Sequence, residues 1–398
     1  MYCRWKSVQS DKVFMRKIIE YLHLKDVGVL EMLFALTPIL MGFNLGPIPL
    51  SALMWVVMIG VVALQKGKLK LKNFKALMWF IIYWFVHQLF LLFVTNFNVN
   101  TLIVQVVYFA AVFFLYPVMD PEKMRGSFNW VAIISIAGLL YQWTDVAQGN
   151  GVHPLEIPGL SMPEGRIEQL ILRPSSFYME PAAYVAYMIC PIALAMVDRK
   201  YMWAIVMILS VLLTTSTTGI ILSFILLGAS LFANKAKGSS ILIVLVVGMG
   251  LAYALNTLEE FSSGVEKLEN TDASTSVRLS QGIHVVKTMH SDEYIFGVPY
   301  SDAYNYCKSG RCTDVEYYGE SVFMPTFWDL LLRFGVVGLI LYLLIYIKIL
   351  RFSKKTIPLC VALLATMFSS GYSIGPIFIY TLIVLLVMVR FDRQGWAV

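Results

Sequence analysis

Residues 65–95 read Gln65-Lys-Gly-Lys-Leu-Lys-Leu-Lys-Asn-Phe-Lys75, then Ala76-Leu-Met-Trp-Phe-Ile-Ile-Tyr-Trp-Phe-Val-His-Gln-Leu-Phe-Leu-Leu-Phe-Val-Thr95. Five lysines precede twenty positions in which His87 is the one ionisable group besides a tyrosine. About twenty apolar residues are the length of helix that crosses a hydrocarbon core of about 30 Å, and a helix satisfies its own backbone where there is no water to do so. A membrane barrel strand would alternate apolar and polar residues, and this run does not. The stretch therefore predicts a transmembrane helix with a basic loop before it.

The same pattern returns along the chain. Of its 398 residues, 58% are hydrophobic and 14% charged, too little charge to cover a soluble domain of that length. Apolar runs predict about twelve spans, at 27–46, 47–64, 76–95, 101–119, 128–146, 178–197, 201–214, 217–233, 239–256, 328–349, 357–372 and 374–390. With the N-terminus inside, 23 of the 31 Lys and Arg fall in cytoplasmic segments, among them Lys123, Arg125, Arg199, Lys200, Lys354 and Lys355. That is the bias of membrane insertion, and it puts both termini inside. The net charge of +6 sits in these short loops, so nucleic acid is not an expected partner. No small-residue cleavage site follows the first apolar run, so no cleavable signal peptide is expected.

The expected fold is thus all-α and polytopic, one integral membrane domain over 1–398 with two long extracytoplasmic loops at about 147–177 and 257–327. The 33 residues 201–233 would make a helix of about 50 Å, too long for one crossing. Read as a hairpin, they dip the tip Thr214-Thr-Ser-Thr-Thr-Gly219 below the outer surface. Its hydroxyls either line a hydrated pocket or back-bond to their own helices. Among the five cysteines, Cys307 and Cys312 share the outer loop in Cys-Lys-Ser-Gly-Arg-Cys and are expected to form a disulfide on the oxidising side. No metal site is expected there, since neither a second pair nor a nearby histidine completes a ligand set.

The spans hold few charges, so the chemistry is sought in the outer loops. His87 and Gln88 are the main deep polar pair, and a lone intramembrane histidine reads first as a packing residue. Arg166 and Arg173 are seven apart in Gly165-Arg-Ile-Glu-Gln-Leu-Ile-Leu-Arg-Pro174. As a helix they share a face, which suits a phosphate clamp as well as snorkelling on the membrane surface. Glu180 stands before Pro181 at the outer mouth of a span. It would orient Arg173, act as a base, or merely serve the helix dipole. In Ser276-Val-Arg-Leu-Ser-Gln-Gly-Ile-His-Val-Val-Lys-Thr-Met-His290 a helical winding puts Arg278 within the apolar arc of Leu279, Ile283, Val285, Val286 and Met289. It should there meet an anion or a carboxylate. His284 falls on the opposite arc with Ser280, Gln281, Lys287 and Thr288; His290 is at the boundary. Glu320 is a looser candidate, and Asp329 and Arg333, four apart, should pair with each other.

Taken together, Arg173-Pro-Ser-Ser-Phe-Tyr-Met-Glu-Pro181, the Thr214–Gly219 tip, Ser276-Val-Arg-Leu279 and Phe334-Gly-Val-Val-Gly-Leu339, in this order and topology, resemble the bacterial O-antigen and capsule polymerases (Wzy-type) of the O-antigen ligase–polymerase superfamily. The resemblance implies a bacterial inner-membrane glycosyltransferase with a fold of the GT-C type, working at the outer face by inverting, metal-independent transfer without a cofactor. The donor would be a glycan on undecaprenyl diphosphate, and the acceptor the non-reducing-end hydroxyl of a second lipid-linked unit. A membrane chain-length regulator would be a partner. Arg166, Arg173 and Arg278 would hold the diphosphate, with Arg173, Arg278 and Glu180 catalytic and Glu180 the base.

Two other readings compete. Ligases of the superfamily usually carry a His-Asn type pair about eleven residues before the late Gly-x-x-Gly. Counting back from Gly335 reaches Met324, with no histidine between Glu316 and Gly338. A lipid-linked oligosaccharide flippase would line a central cavity with charge and keep its outer loops short, which is not the pattern here.

Overall fold

The computed structural model describes residues 16–45, 48–66, 75–94, 99–160, 173–233, 275–300, 302–312, 315, 322, 324–369, 371 and 374–393. These are overwhelmingly helical. Helix α1 (Val29–Leu40) is followed by the two-residue strands β1 (Asn44–Leu45) and β2 (Ile48–Pro49), which pair antiparallel. Then come α2 (Leu50–Lys66), α3 (Lys75–Val94), α4 (Val99–Leu115), α5 (Pro121–Ala147), α6 (Pro181–Val197), α7 (Tyr201–Leu213) and α8 (Thr217–Ala233). Three shorter helices follow, α9 (Thr275–Lys287), α10 (Ser291–Phe296) and α11 (Ala303–Tyr306); α12 (Thr326–Phe352), α13 (Ile357–Ser369) and α14 (Pro376–Arg393) close the chain. Every expected span among the described residues carries a helix, and the span at 239–256 lies outside them. By length and composition α3, α5 and α12 are long and apolar enough to cross a membrane; the other apolar helices are shorter.

The surface of α3 shows what solvent it is built for. Leu77, Phe80, Trp84, Gln88 and Leu91 recur at three- and four-residue spacing and are buried, which is one stripe of the helix. The rest of its circumference is just as apolar yet exposed: Trp79, Ile82, Phe85, Val86, Phe90 and Phe93. A water-facing side would be polar, so this face suits hydrocarbon.

The chain divides into two compact units, residues 1–67 with 114–214, and residues 68–113 with 215–398. In the first unit, the ring of Phe34 stacks on Phe128 (6.1 Å) and meets Trp55 edge-on (5.7 Å). Helix α5 is started by Asp120, whose carboxylate accepts from the backbone N–H groups of Glu122 and Lys123, with Pro121 at the first helical position. Its first turns carry Arg125, which pairs with Asp198 beyond the end of α6 at 2.9 Å, both side chains nearly buried. Beside this pair, Arg125, Asn129, Asp198 and Lys200 line a cavity of about 10 Å³, room for roughly one water.

In the second unit, Phe80 of α3 packs edge-on against Phe109 of α4 (6.4 Å) and Tyr342 of α12 (5.5 Å), and Tyr342 leans on Phe378 of α14 (4.9 Å). Trp84 donates its indole N–H to Gln105 (3.2 Å). From Ile377 to Val389, α14 is buried on every side, the state of a helix apolar all round.

The span expected at 328–349 carries α12, and α12 is not one straight rod. The 27 residues of α12 would run about 40 Å as one rod, too long for the core. The helix instead breaks at Gly335, with φ +62 and ψ −171. Residues 336–352 after the break make about 26 Å of helix. The first part, 326–334, carries Asp329 and Arg333.

Candidate functional site

In the first unit, the segment after Arg173 folds inward. Pro174, Ser175, Ser176 and Tyr178 are buried, Arg173 is half-buried, and Glu180 emerges exposed at the far end. Three residues of α5 hold this turn, and their spacing of three and four puts them on one face of the helix. Ser135 donates to the carbonyl of Val131 (2.7 Å), so the Tyr178 hydroxyl, 3.1 Å away, donates to Ser135. Gly138 makes the room: a Cβ there would come within 2.5 Å of Ser176 Oγ and 2.8 Å of the Phe177 ring. Gln142 accepts from the backbone N–H of Ser175 (3.0 Å) and of Ser176 (2.7 Å) through one oxygen, and its amide donates to the carbonyl of His153 (2.8 Å). Ser176 lies in the left-handed region at φ +57, a conformation that persists only where the surroundings enforce it.

The turn ends as the sequence suggests, on Pro181 at the first position of α6. Glu180 occupies the N-cap with extended backbone, and its carboxylate makes no capping hydrogen bond. Its task is therefore not the cap.

In the second unit, α9, α10, α11 and the loop after them form a small cap against the first part of α12. Val285 and Val286 of α9 and Met289 just beyond its end are buried and His284 and Lys287 exposed, as the helical winding predicts. Gln281, expected on the polar arc, is instead buried, because Gly282 beside it lets α9 close on Trp328: a Cβ at Gly282 would lie 2.5 Å from the indole. The backbone of Arg278 is in α9, four and seven residues before Gly282 and Val285, in register with the buried positions; its side chain lies outside the described residues. Arg166 and Glu320 also lie outside them. His290 is exposed at the N-cap of α10, and its N–H donates to Glu293 (2.8 Å).

Glu293 is a residue that the sequence reading passed over. It is buried, and its other oxygen takes the guanidinium of Arg311, whose carbon sits over the rings of Tyr306 (5.5 Å) and Tyr300 (5.9 Å). Partial burial pulls the pKa of Arg311 down, but hydrogen bonds to Tyr306 and Glu293 outweigh it and hold the group above its ordinary value. Cys307 and Cys312 are joined in a disulfide, Cα atoms 4.7 Å apart, which closes the loop that carries Arg311. Thr288 donates to Val285 (2.7 Å), so the Tyr306 hydroxyl donates to Thr288 (3.1 Å).

The cap is plugged into the break in α12. Val298 donates its N–H to the carbonyl of Leu332 (2.8 Å), a group that the broken helix leaves open. The hydroxyl of Tyr83 on α3 shares its proton between the carbonyls of Phe334 (2.9 Å) and Phe296 (3.0 Å). Arg333 faces Asp329 at 3.4 Å, the pairing that their spacing suggests, and the ring of His87 lies 5.1 Å from that of Phe334. Arg173 and Glu180 thus belong to one unit and Arg278 and His290 to the other.

At the tip after α7, the Thr214 hydroxyl donates to the carbonyl of Val211 (2.6 Å), which is the back-bonding alternative for that residue. Thr215 takes φ +53, and α8 starts at Thr217. Among the described residues no group of three or more His, Cys, Asp or Glu could hold a metal ion.

The family model described as WcaD colanic acid polymerase matches residues 160–391. No curated protein and no solved structure matches.

Proposed function

The chain belongs to the WcaD colanic acid polymerase family, and from that premise we propose that it joins lipid-linked oligosaccharide repeat units into a polysaccharide at the extracytoplasmic face of the inner membrane. The observation that carries the reading is where the family match falls. Residues 160–391 hold every candidate cation, Arg166, Arg173 and Arg278, together with Glu180. The polymerase likeness and the candidate site are therefore features of the same stretch. Membership of a polymerase family also sets aside the ligase and flippase readings.

The proposed reaction is inverting glycosyl transfer without a metal. A hydroxyl at the non-reducing end of the acceptor attacks the anomeric carbon of the donor from the side opposite the leaving group. The new C–O bond forms as the bond to the lipid diphosphate breaks, and the electron pair leaves with the phosphate. The guanidinium groups of Arg173 and Arg278, with Arg166, stabilise the charge that grows on the diphosphate. Glu180 takes the hydroxyl proton. Its exposure and lack of a capping bond leave its carboxylate available for that task. The remaining topology, twelve crossings with both termini inside and a GT-C-type fold, is part of the same proposal. It rests on the lysine and arginine bias of the short loops.

The test is glycan chain length on a gel, in a deletion strain complemented with wild type, Arg173→Ala, Arg278→Ala or Glu180→Gln at matched membrane levels. Single repeat units on their normal carrier in the deletion and in each variant are expected. Long polymer that stays on the lipid carrier, or repeat units held on the cytoplasmic side, would overturn the reading.

A further inference from the structure

Resting on the assignment of Arg173 and Glu180 to the reaction, we propose that Gln142 is the positioning residue of that site, the side chain that fixes the 173–180 turn and so sets where both groups stand. Gln142 is 1% exposed and lies in the outer part of α5, seven residues after Ser135 and four after Gly138. Its single amide is used at both ends. The carbonyl oxygen receives the N–H groups of Ser175 and Ser176, and the NH₂ reaches the carbonyl of His153. One side chain thereby ties two parts of the same outer loop to a long apolar helix.

Two features make the role specific. Successive backbone N–H groups converging on one point form the concavity that binds anions in many proteins. Here a neutral amide oxygen fills it, so the turn does not itself compete for a diphosphate, and the guanidinium two residues before Ser175 remains the group to receive one. Secondly, Ser176 is held at φ +57 with its hydroxyl buried and, among the described residues, unbonded. The side chain of Ser176 makes no bond that ties this residue to α5; beside the Tyr178 bond to Ser135 further along the turn, the Ser176 N–H bond to Gln142 does. Without that acceptor, two N–H groups would be buried without a partner, and the turn would open to hydrate them. Arg173, two residues before Ser175, and Glu180, four after Ser176, would move with it.

The role is separable from bulk packing by choice of variant. Gln142→Leu keeps the volume and removes the acceptor. Gln142→Glu keeps an oxygen for both N–H groups and, as the neutral acid that burial favours, an O–H for the carbonyl of His153. Two quantities are read in the deletion strain at equal membrane level: polymer yield by gel, and labelling by a membrane-impermeant maleimide of a cysteine placed by Ser176→Cys in each background. The other described cysteines are buried or disulfide-bonded. The expected result is that Gln142→Leu exposes the cysteine and lowers polymer by up to about a hundredfold, the scale of a misplacement by about 1 Å. Gln142→Glu should do neither. Should Gln142→Leu fail to accumulate, Gln142→Asn, which shortens the reach by one methylene, carries the same expectation. Polymer and labelling both at wild-type level in Gln142→Leu would overturn the proposal. So would an exposed cysteine with full polymer while Arg173→Ala is inactive, which separates the turn from the chemistry. Full polymer in Arg173→Ala and Glu180→Gln as well would overturn the assignment of the site itself.

Discussion

Replacing Gly335 by alanine should detach the cap of α9–α11 from α12. At this residue φ is +62 and ψ −171, a region essentially reserved for glycine, where another residue costs about 1–3 kcal/mol. The added Cβ would sit 2.3 Å from the carbonyl oxygen of Ile295, 2.4 Å from its carbon and 2.6 Å from the nitrogen of Gly297. All three are backbone atoms, so no rotamer change relieves the clash, and the two segments must separate. Separation forfeits the Val298 to Leu332 hydrogen bond and the tie through Tyr83, each about 1 kcal/mol. The wild type loses the same bonds when it opens, so the change in the opening equilibrium is the penalty at residue 335 itself; at about 3 kcal/mol that is roughly a hundredfold. Hydrogen exchange on the purified protein reads this directly, because the Val298 amide is protected only while the cap is docked. The expected result is exchange about a hundredfold faster at Val298, with shortened polymer in cells. Gly228→Ala in α8 is the control: nothing lies within 4 Å of its added Cβ, and alanine is the better helix former there by up to about 1 kcal/mol. If Val298 exchanged at the wild-type rate in Gly335→Ala, the docking account of the break would be refuted.

Tyr83→Phe removes one hydroxyl proton shared by two carbonyls and should accelerate the same amide by about tenfold, clearly less than Gly335→Ala; equal effects would mean that the tyrosine, not the backbone fit, holds the joint. Cys307→Ser with Cys312→Ser frees a six-residue loop, worth about 2 kcal/mol of chain entropy. It should make that loop sensitive to protease under oxidising conditions where the wild type resists. Lys200→Met should raise the unfolding temperature, because the Lys200 ammonium is buried without a hydrogen-bond acceptor among the described residues. Burial lowers the pKa of Lys200, so in the window between its lowered value and the ordinary 10.5 the unfolded chain binds more protons and wild-type stability rises with pH. The advantage of Met over Lys should therefore shrink as pH rises through that window, and an advantage that stayed constant would place the lysine in water.

The positions of the helices were legible because hydrocarbon asks for length and apolarity, and residues 76–95 state both. The start of α6 was legible too, since Glu180-Pro181 is local chemistry, as were the burial of Val285, Val286 and Met289 and the pairing of Asp329 with Arg333. The break at Gly335 was harder to see. Its glycine stands two residues after Arg333 at the head of a long apolar run, and the reason for its backbone angles is Ile295 and Gly297, about forty residues earlier in the chain. The burial of Gln281 depends likewise on Gly282 meeting Trp328 from another helix, which helical winding alone does not contain. Glu293 looked like one more acid in a charged loop until the fold brought Arg311 to it.

The polar residues inside apolar runs carry the more general lesson. From the sequence, His87 and Gln88 stand out as the deep polar pair, and the habit with such residues is to ask what ligand they bind. Gln142 and Tyr83 occur in equally apolar surroundings, and each bonds backbone: Gln142 two N–H groups and a carbonyl, Tyr83 two carbonyls. Wherever a chain turns back or breaks in a buried apolar setting, peptide groups lose their helical partners, and leaving one buried and unpaired costs more than any single side-chain contact gains. A polar side chain that meets them is a condition for the irregular segment to exist. In this protein the irregular segments are the 173–180 turn and the Gly335 break, and the candidate catalytic groups Arg173 and Glu180 are mounted on the first of them. Their placement is thus only as good as the backbone bonds beneath, which is why the variants of Gln142 bear on the chemistry without touching a substrate.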